Sequence, residues 1–308
     1  MKDLPKTLDE TYDRILLNIP EEYRQDAQVI FTLLAYCSRS ISLGEVAEAL
    51  AIDLEEASFD SKNRFPTPYN ILKICSGLVT LSDHEPQRLE LPWVGRSMAS
   101  GDDSKEIRFA HSSVKEYLVS RRLSQKNSHI FQVDSDAGHS LITRLCIIYL
   151  LSTRGTLLPP STDDTTRSLP FLEYSANEWP FHYKAIRRGE NENTREMVRQ
   201  LFWKENESSL RYSLAMMSEH TRLVDWGHVQ EVQNLGPLYY ASVFGLVDVC
   251  QDILAKGDDV NPQDRRSYSN ALQAASANGN KAVVMLLIDN GAEVNTLGES
   301  TAVHCKQP

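Results

Sequence analysis

The segment with the densest set of reactive side chains is EIRFAHSSVKEYLVS, residues Glu106–Ser120. Within it, Ser112 and Lys115 stand at the S-x-x-K spacing of penicillin-recognising acyl enzymes, in which the lysine one turn along keeps the serine ready to lose its proton. That chemistry also needs S-D-N and K-T-G tripeptides, and neither occurs in the sequence. His111 follows a predicted strand, where an isolated histidine is expected to be a buried, hydrogen-bonded imidazole and not a base.

The same residues fit the start of a helix. Ser113 and Glu116 have the S-x-x-E spacing of a capping box, in which the two side chains bind backbone N–H groups of the first turn. Val114, Tyr117 and Leu118 then share one helical face, as in a helix that docks on a sheet. We therefore predict a capped helix start here, and not an active site.

No other reactive constellation appears along the chain. Gly95–Ala99 resembles the G-x-S-x-G nucleophile elbow but lacks its second glycine. The paired acids at 102–103 and 163–164 lie in polar loops, whereas general acid–base chemistry needs a carboxyl buried enough to raise its pKa. Four histidines lack the spacing of a metal site: His139, His182, His220 and His228. The sequence predicts no catalytic residue, no cofactor and no metal, and therefore no enzyme.

The composition is that of an ordinary globular chain. Its 308 residues predict two or three domains, and its net charge of −10 disfavours phosphate backbones and anionic membranes. No apolar run approaches the roughly 20 residues that span a bilayer, and the N-terminus lacks the apolar core of a signal peptide. Single, scattered cysteines predict reduced thiols and a cytoplasmic location: Cys37, Cys75, Cys146, Cys250 and Cys305.

Residues 1–126 read as short helices followed by strands. Capping boxes begin at Thr7 and Ser42, each ahead of an apolar helical stripe, and a third short helix is predicted from Pro68 to Cys75. The period then changes to that of strands at Leu78–Leu81, Arg88–Leu91 and Glu106–Phe109. Three helices followed by a small sheet is the plan of a winged helix-turn-helix domain.

Residues 127–235 predict a helical array without strands. From about Asp134, leucine and isoleucine residues recur on one side of a long helix, and flanking apolar residues widen the stripe: Leu141, Leu145, Ile148 and Leu151. So broad a stripe indicates a helix that packs on several neighbours. Trp179-Pro180 predicts a kink or break in a later helix, because proline removes a helical hydrogen bond.

Residues 236–308 contain a repeat. GPLYYASVFGLVDVCQDILAKGDDVN and NALQAASANGNKAVVMLLIDNGAEVN align with a constant offset of 34 residues. Gly245 matches Gly279, and Gly257 matches Gly291, at positions where a helix ends and a positive φ is needed. A helix, a glycine turn, a second helix and a G-x-x-V-N turn form the ankyrin unit. We predict two ankyrin repeats and a truncated third.

Several segments carry a family resemblance: LPKTLDETYDRILLNIPEEYRQDA, SLGEVAEALAI, RFAHSSVKEYLVS, LITRLCIIYLLS and FLEYSANEWPFHY. With the repeats, they make the chain similar to the region behind the nucleotide-binding module of fungal NACHT-type, NOD-like-receptor-like proteins with ankyrin repeats. The middle segment of that family is known as the GPI inositol-deacylase winged helix domain, a label that implies no deacylase chemistry here. The resemblance implies an upstream ATP- or GTP-binding module. No G-x-x-x-x-G-K-[ST] loop is present, so nucleotide binding is not expected and the chain looks like a fragment or a late-starting gene model.

The predicted function is that of a non-catalytic regulatory and protein-interaction module. Ankyrin proteins bind partners through inner helices and hairpin tips, which selects these candidate contact residues: Tyr239, Tyr240, Asp264, Arg265, Arg266, Tyr268 and Gln273. Ordinary solvated surface is the alternative for each of them.

Nucleic-acid binding is the alternative function, because winged helices often read DNA. Residues 41–60 cover the second helix of the motif and hold six acidic residues but no lysine or arginine. The next helix offers only Lys73. A recognition helix without basic flanks lacks the phosphate attraction that supplies most of the affinity, so we expect no nucleic-acid partner.

Overall fold

The computed structural model describes residues 7–75, 77–82, 104–153, 169–187, 192–211, 213, 236–261 and 270–294. Helices predominate in this part of the chain and its sheets are small and antiparallel, which confirms the predicted mainly α class. The chain divides into two compact units, Met1–Val198 and Arg199–Pro308. The three domain ranges 1–126, 127–235 and 236–308 stay predictions. Among the described helices, none is long and apolar enough to cross a membrane.

Two helices open the first unit, α1 (Leu8–Leu17) and α2 (Arg24–Tyr36). The Thr7 hydroxyl accepts the Glu10 N–H at 3.1 Å and caps α1, which is one half of the predicted capping box. The apolar stripe of α2 is buried, and its Phe31 ring packs against other rings at centroid distances of 6.3 and 6.1 Å. The position of α2 therefore rests on one buried face, whereas α1 buries Leu16 alone among its residues.

A three-stranded sheet follows α2. Its strands and the helices between them are β1 (Ile41–Ser42), α3 (Leu43–Ala49), α4 (Asn70–Ile74), β4 (Val79–Leu81) and β5 (Glu106–Phe109). All pairs are antiparallel and the order is β1–β5–β4, so the last strand in sequence lies in the middle. This is the winged helix arrangement, and it confirms two of the three predicted strands. The third, Arg88–Leu91, lies outside the described residues.

A small hairpin, β2 (Ile52–Asp53) and β3 (Ser58–Phe59), was not predicted. Two-residue strands are too short for an alternating pattern to reveal them. The Phe59 N–H donates to the Ser152 hydroxyl at 3.2 Å, and the Phe59 ring lies 4.7 Å from that of Tyr149. Tertiary contacts therefore hold this hairpin in place.

The remaining helices of the first unit are α5 (Ser112–Leu118), α6 (Ser135–Thr153), α7 (Leu172–Ala185) and α8 (Glu192–Leu201), of which α8 runs past the division between the units. Most of α6 is buried, in agreement with its broad apolar stripe. Of the kink or break predicted at Trp179-Pro180, the break is wrong, because α7 continues through Pro180, and the kink stays a prediction. Trp179 is fully buried and α7 packs along α6, so this packing offsets the hydrogen bond that Pro180 cannot donate.

The second unit contains two helical pairs, α9 (Pro237–Phe244) with α10 (Val247–Ala255), and α11 (Ala271–Ala277) with α12 (Lys281–Asp289). Each helix of the second pair starts 34 residues after the corresponding helix of the first pair, as predicted. Gly245 ends α9 with φ of 74°, and a Cβ there would stand 2.5 Å from the Asn280 side-chain oxygen. The glycine therefore permits both the turn and the approach of the next pair.

Asparagine side chains link the two helical pairs. The Asn280 amide donates to the carbonyls of Ser242 and Val243 at 2.8 and 2.9 Å. Asn261 donates to the Gly291 carbonyl and accepts the backbone N–H of residue 293, both at 2.9 Å. These bonds engage backbone groups at or just after the ends of α9 and α12 and so connect the two pairs.

Candidate functional site

His111 is the N-cap of α5, and the reactive segment is a helix start as predicted. Its ring Nδ1 accepts the backbone N–H of Ser113 at 3.2 Å and lies 2.6 Å from the Ser113 hydroxyl. That hydroxyl is also 2.7 Å from the hydroxyl of Tyr12, so it joins α1 to α5. Among the described residues, no hydrogen bond connects Ser112 to Lys115, and both are exposed.

Two expectations about this segment are wrong. The helix begins at Ser112 and is capped by His111, so Ser113 and Glu116 do not form the predicted capping box. His111 is exposed and not a buried imidazole. Residue 111 comes shortly after β5 and keeps an extended backbone, with φ of −150° and ψ of 149°. An N-cap residue has this non-helical conformation, and the His111 ring therefore takes the capping position.

A buried pair of histidines lies between α6 and α7. Nδ1 of His139 and Nδ1 of His182 are 2.9 Å apart, and Nε2 of His182 is 2.8 Å from the Tyr174 hydroxyl. His182 is fully buried, while His139 is half-buried. Burial and the neighbouring His139 lower the pKa of His182 to about 3, and burial lowers that of His139 as well. Both rings are therefore neutral at pH 7, with one Nδ1 as donor and the other as acceptor.

No local spacing indicates this pair, because the two histidines are 43 residues apart in the chain. Two imidazoles alone do not form a protein metal site, which takes three or four side-chain ligands. In the part of the chain that the structure describes, no group of three potential ligands is placed to hold a metal ion. The two histidines therefore form a buried hydrogen bond between α6 and α7, and His182 is a titratable group inside it.

Polar contacts extend from this pair to the winged helix. The Ser38 hydroxyl, which follows α2, donates to the Glu178 carboxylate at 2.6 Å and lies 3.4 Å from the Tyr174 hydroxyl. The Arg39 guanidinium lies over the Tyr174 ring at 4.9 Å and pairs with the buried carboxylate of Glu45 at 2.7 Å. These contacts join the end of α2 and the start of α3 to α7.

A second buried carboxylate makes a similar connection. Glu48 of α3 accepts two hydrogen bonds from the Arg64 guanidinium, at 2.5 and 2.6 Å, and one from the Tyr149 hydroxyl of α6. Glu45 and Glu48 are two of the six acidic residues in the range 41–60, and both are buried and paired. The exposed acids of residues 41–60 are Asp53, Glu55, Glu56 and Asp60.

The predicted contact residues differ in their surroundings. Tyr239 is half-buried, whereas Tyr240 is only 1% exposed. The Tyr240 ring therefore packs inside the unit and is not a surface contact residue. Gln273 is half-buried and completes a capping box with Asn270, which α11 needs for its first turn. The remaining candidates lie outside the described residues: Asp264, Arg265, Arg266 and Tyr268.

The described cysteines are free thiols, as predicted. Burial raises the pKa of Cys37 and Cys250 to about 12 and also raises that of Cys75 and Cys146. None of these four is therefore a thiolate at neutral pH. Cys305 lies outside the described residues.

Comparison with known proteins supports the N-terminal fold. Residues 15–91 match the family model of the GPI inositol-deacylase winged helix domain, so this part of the chain is a winged helix domain. The chain is 32% identical over 307 residues to azaphilone pigments biosynthesis cluster protein L of Monascus ruber. The alignment covers 96% of this chain but only 61% of that relative. No solved structure matches the chain.

Proposed function

We propose that this chain is the non-catalytic regulatory and protein-interaction part of a cytoplasmic NACHT-type, NOD-like-receptor-like protein, and that its C-terminal helical pairs are ankyrin repeats that bind a partner protein. The proposal rests on the repeated structure of the second unit. Two helical pairs repeat there at a 34-residue offset and are joined by the side-chain amides of Asn261 and Asn280. Stacked units of this kind serve as binding surfaces.

The contacts of the winged helix support a regulatory role for it. Buried polar groups fasten α3 to α6 through Glu48 and Tyr149, and the end of α2 to α7 through Ser38 and Glu178. A displacement of the winged helix would break these bonds and leave buried polar groups unsatisfied. The winged helix and the helical array therefore respond together to a partner or to an upstream nucleotide-binding module.

DNA reading by the winged helix is the second candidate function. Its hairpin carries the exposed acids Asp53, Glu55 and Glu56, and α4 adds the exposed Lys73. Acidic groups beside a recognition helix repel the phosphate backbone. The charge of this face therefore favours a protein partner over a nucleic acid.

One experiment separates the two functions by matched charge reversals in the full chain. The variant Arg265→Glu/Arg266→Glu changes the repeat segment, and Lys62→Glu/Lys73→Glu makes the same charge change on the winged helix. We expect the first variant alone to lose proteins that the wild type captures from an extract of its source organism, by quantitative mass spectrometry. Loss of captured proteins only in the second variant would contradict the proposal. Salt-dependent binding of duplex DNA that the second variant abolishes would favour the alternative.

A further inference from the structure

One helix of the second unit exposes an apolar face with charges at both ends. The side chains on this face are all exposed and recur at helical spacing: Lys281, Ala282, Met285, Ile288 and Asp289. Met285 is 66% exposed and Ile288 is 45% exposed, although the opposite side of α12 is buried through Val283 and Leu287. This set of residues is called the α12 face below.

Stacking of another repeat does not account for Met285. Gln251 occupies the same position in the preceding repeat, 34 residues earlier, and it is exposed even though α12 packs beside α10. A further helical pair placed beside α12 in the same way would leave Met285 exposed as well. Stacking would therefore leave Met285 available to a different occupant.

The order of side chains makes the α12 face complementary to itself. Met285 is the midpoint of the helix, with Lys281 four residues before it and Asp289 four residues after it. If two α12 helices pair antiparallel about Met285, each Lys281 lies opposite Asp289 of the second copy. Each Ala282 then lies opposite an Ile288, so that a small side chain receives a large one. A two-fold interface requires this reciprocity.

We propose that the α12 face binds a second copy of this chain, antiparallel and centred on Met285. The face is one helix wide, so the dimer is weak and forms as the protein concentration rises. Two ion pairs between Lys281 and Asp289 set the register, and the methionines and isoleucines supply the buried apolar contact. This dimer is separate from the proposed binding of a partner protein through α11 and the segment that contains Arg265 and Arg266.

Sedimentation velocity of the full chain over a concentration series tests the dimer. We expect the wild type to pass from monomer to dimer, and Lys281→Glu or Asp289→Lys alone to weaken dimerisation by about tenfold, because each turns two attractions into repulsions. The double variant Lys281→Glu/Asp289→Lys should return to within about threefold of the wild type. Met285→Glu should abolish the dimer, whereas the matched control Gln251→Glu should leave it unchanged.

Three outcomes would overturn the proposal. They are a wild type that stays monomeric throughout the series, a double variant no better than either single reversal, and a Gln251→Glu control as harmful as Met285→Glu. Oxidation of Met285 by hydrogen peroxide, followed by peptide mass spectrometry, gives an independent reading. The oxidation should slow as the protein concentration rises. Slow oxidation even in dilute protein would instead assign the α12 face to a segment of the same chain, such as residues 295–308.

Discussion

Acidification should destabilise the first unit through the buried histidine of α7. His182 is fully buried, and its two ring nitrogens lie within hydrogen-bond distance of His139 and Tyr174. A second proton on its ring would place a positive charge in a buried site next to His139. For these reasons the pKa of His182 falls from 6.5 to about 3.

The sign and size of the effect follow from proton linkage. A lowered pKa means that the unfolded chain binds a proton below its own pKa of 6.5 while the native chain does not. Stability is therefore present above that value and is lost as the pH falls towards about 3. Between pH 7.5 and pH 5 this single group should lower the free energy of unfolding by about 2 kcal/mol. The pKa of His139 is also lowered, so it contributes in the same direction.

The variant His182→Gln isolates this contribution, because glutamine can still bind the Tyr174 hydroxyl but does not titrate. Urea unfolding followed by tryptophan fluorescence would be measured at pH 7.5 and pH 5 for the wild type and the variant. We expect the variant to be less stable at pH 7.5 by about 1 to 3 kcal/mol, and its further loss at pH 5 to be smaller than that of the wild type by about 2 kcal/mol.

Carboxylates that are paired in the native state also contribute to acid destabilisation, so a matched control is required. His129 is exposed, and His129→Gln should keep the full pH dependence of the wild type. The reasoning is refuted if His182→Gln loses as much stability on acidification as the wild type does.

Other consequences of the structure can be tested by stability and exchange. Gly245→Ala should destabilise the second unit by about 2 kcal/mol in thermal unfolding, because φ at this position is positive and the new methyl group would meet Asn280. The matched control Gly236→Ala has open space around its Cβ and should have little effect. Glu48→Gln should lower the free energy of urea unfolding by about 2 kcal/mol, because the guanidinium of Arg64 loses its bidentate partner; a loss below 0.5 kcal/mol would count against this. Hydrogen–deuterium exchange should be faster in α12, which has one exposed apolar face, than in α2 and α6; finding α12 the best-protected helix would contradict that expectation.

Local signals in the sequence predicted those elements whose cause is local. The T-x-x-E spacing located the cap of α1, and the capping box at Ser42 and Glu45 is present with both of its hydrogen bonds. The constant 34-residue offset located all four helices of the second unit, because every repeat presents the same apolar and glycine positions.

The features that the sequence did not predict depend on residues far apart in the chain. The contact between His139 and His182, and the burial of Glu48 against Arg64 and Tyr149, arise only when helices pack. At Pro180 the local preference for a break was overridden by the packing of α7 on α6. At His111 an imidazole took the role that the pattern gave to a serine, since both can accept a backbone N–H.

The most direct test of the proposed function is differential hydrogen–deuterium exchange of the full chain, alone and with the protein that affinity capture identifies. If the helical pairs hold the partner, new protection should lie in residues 262–277, which include Arg265, Arg266 and helix α11. New protection confined to residues 1–126, with none in the second unit, would contradict the account.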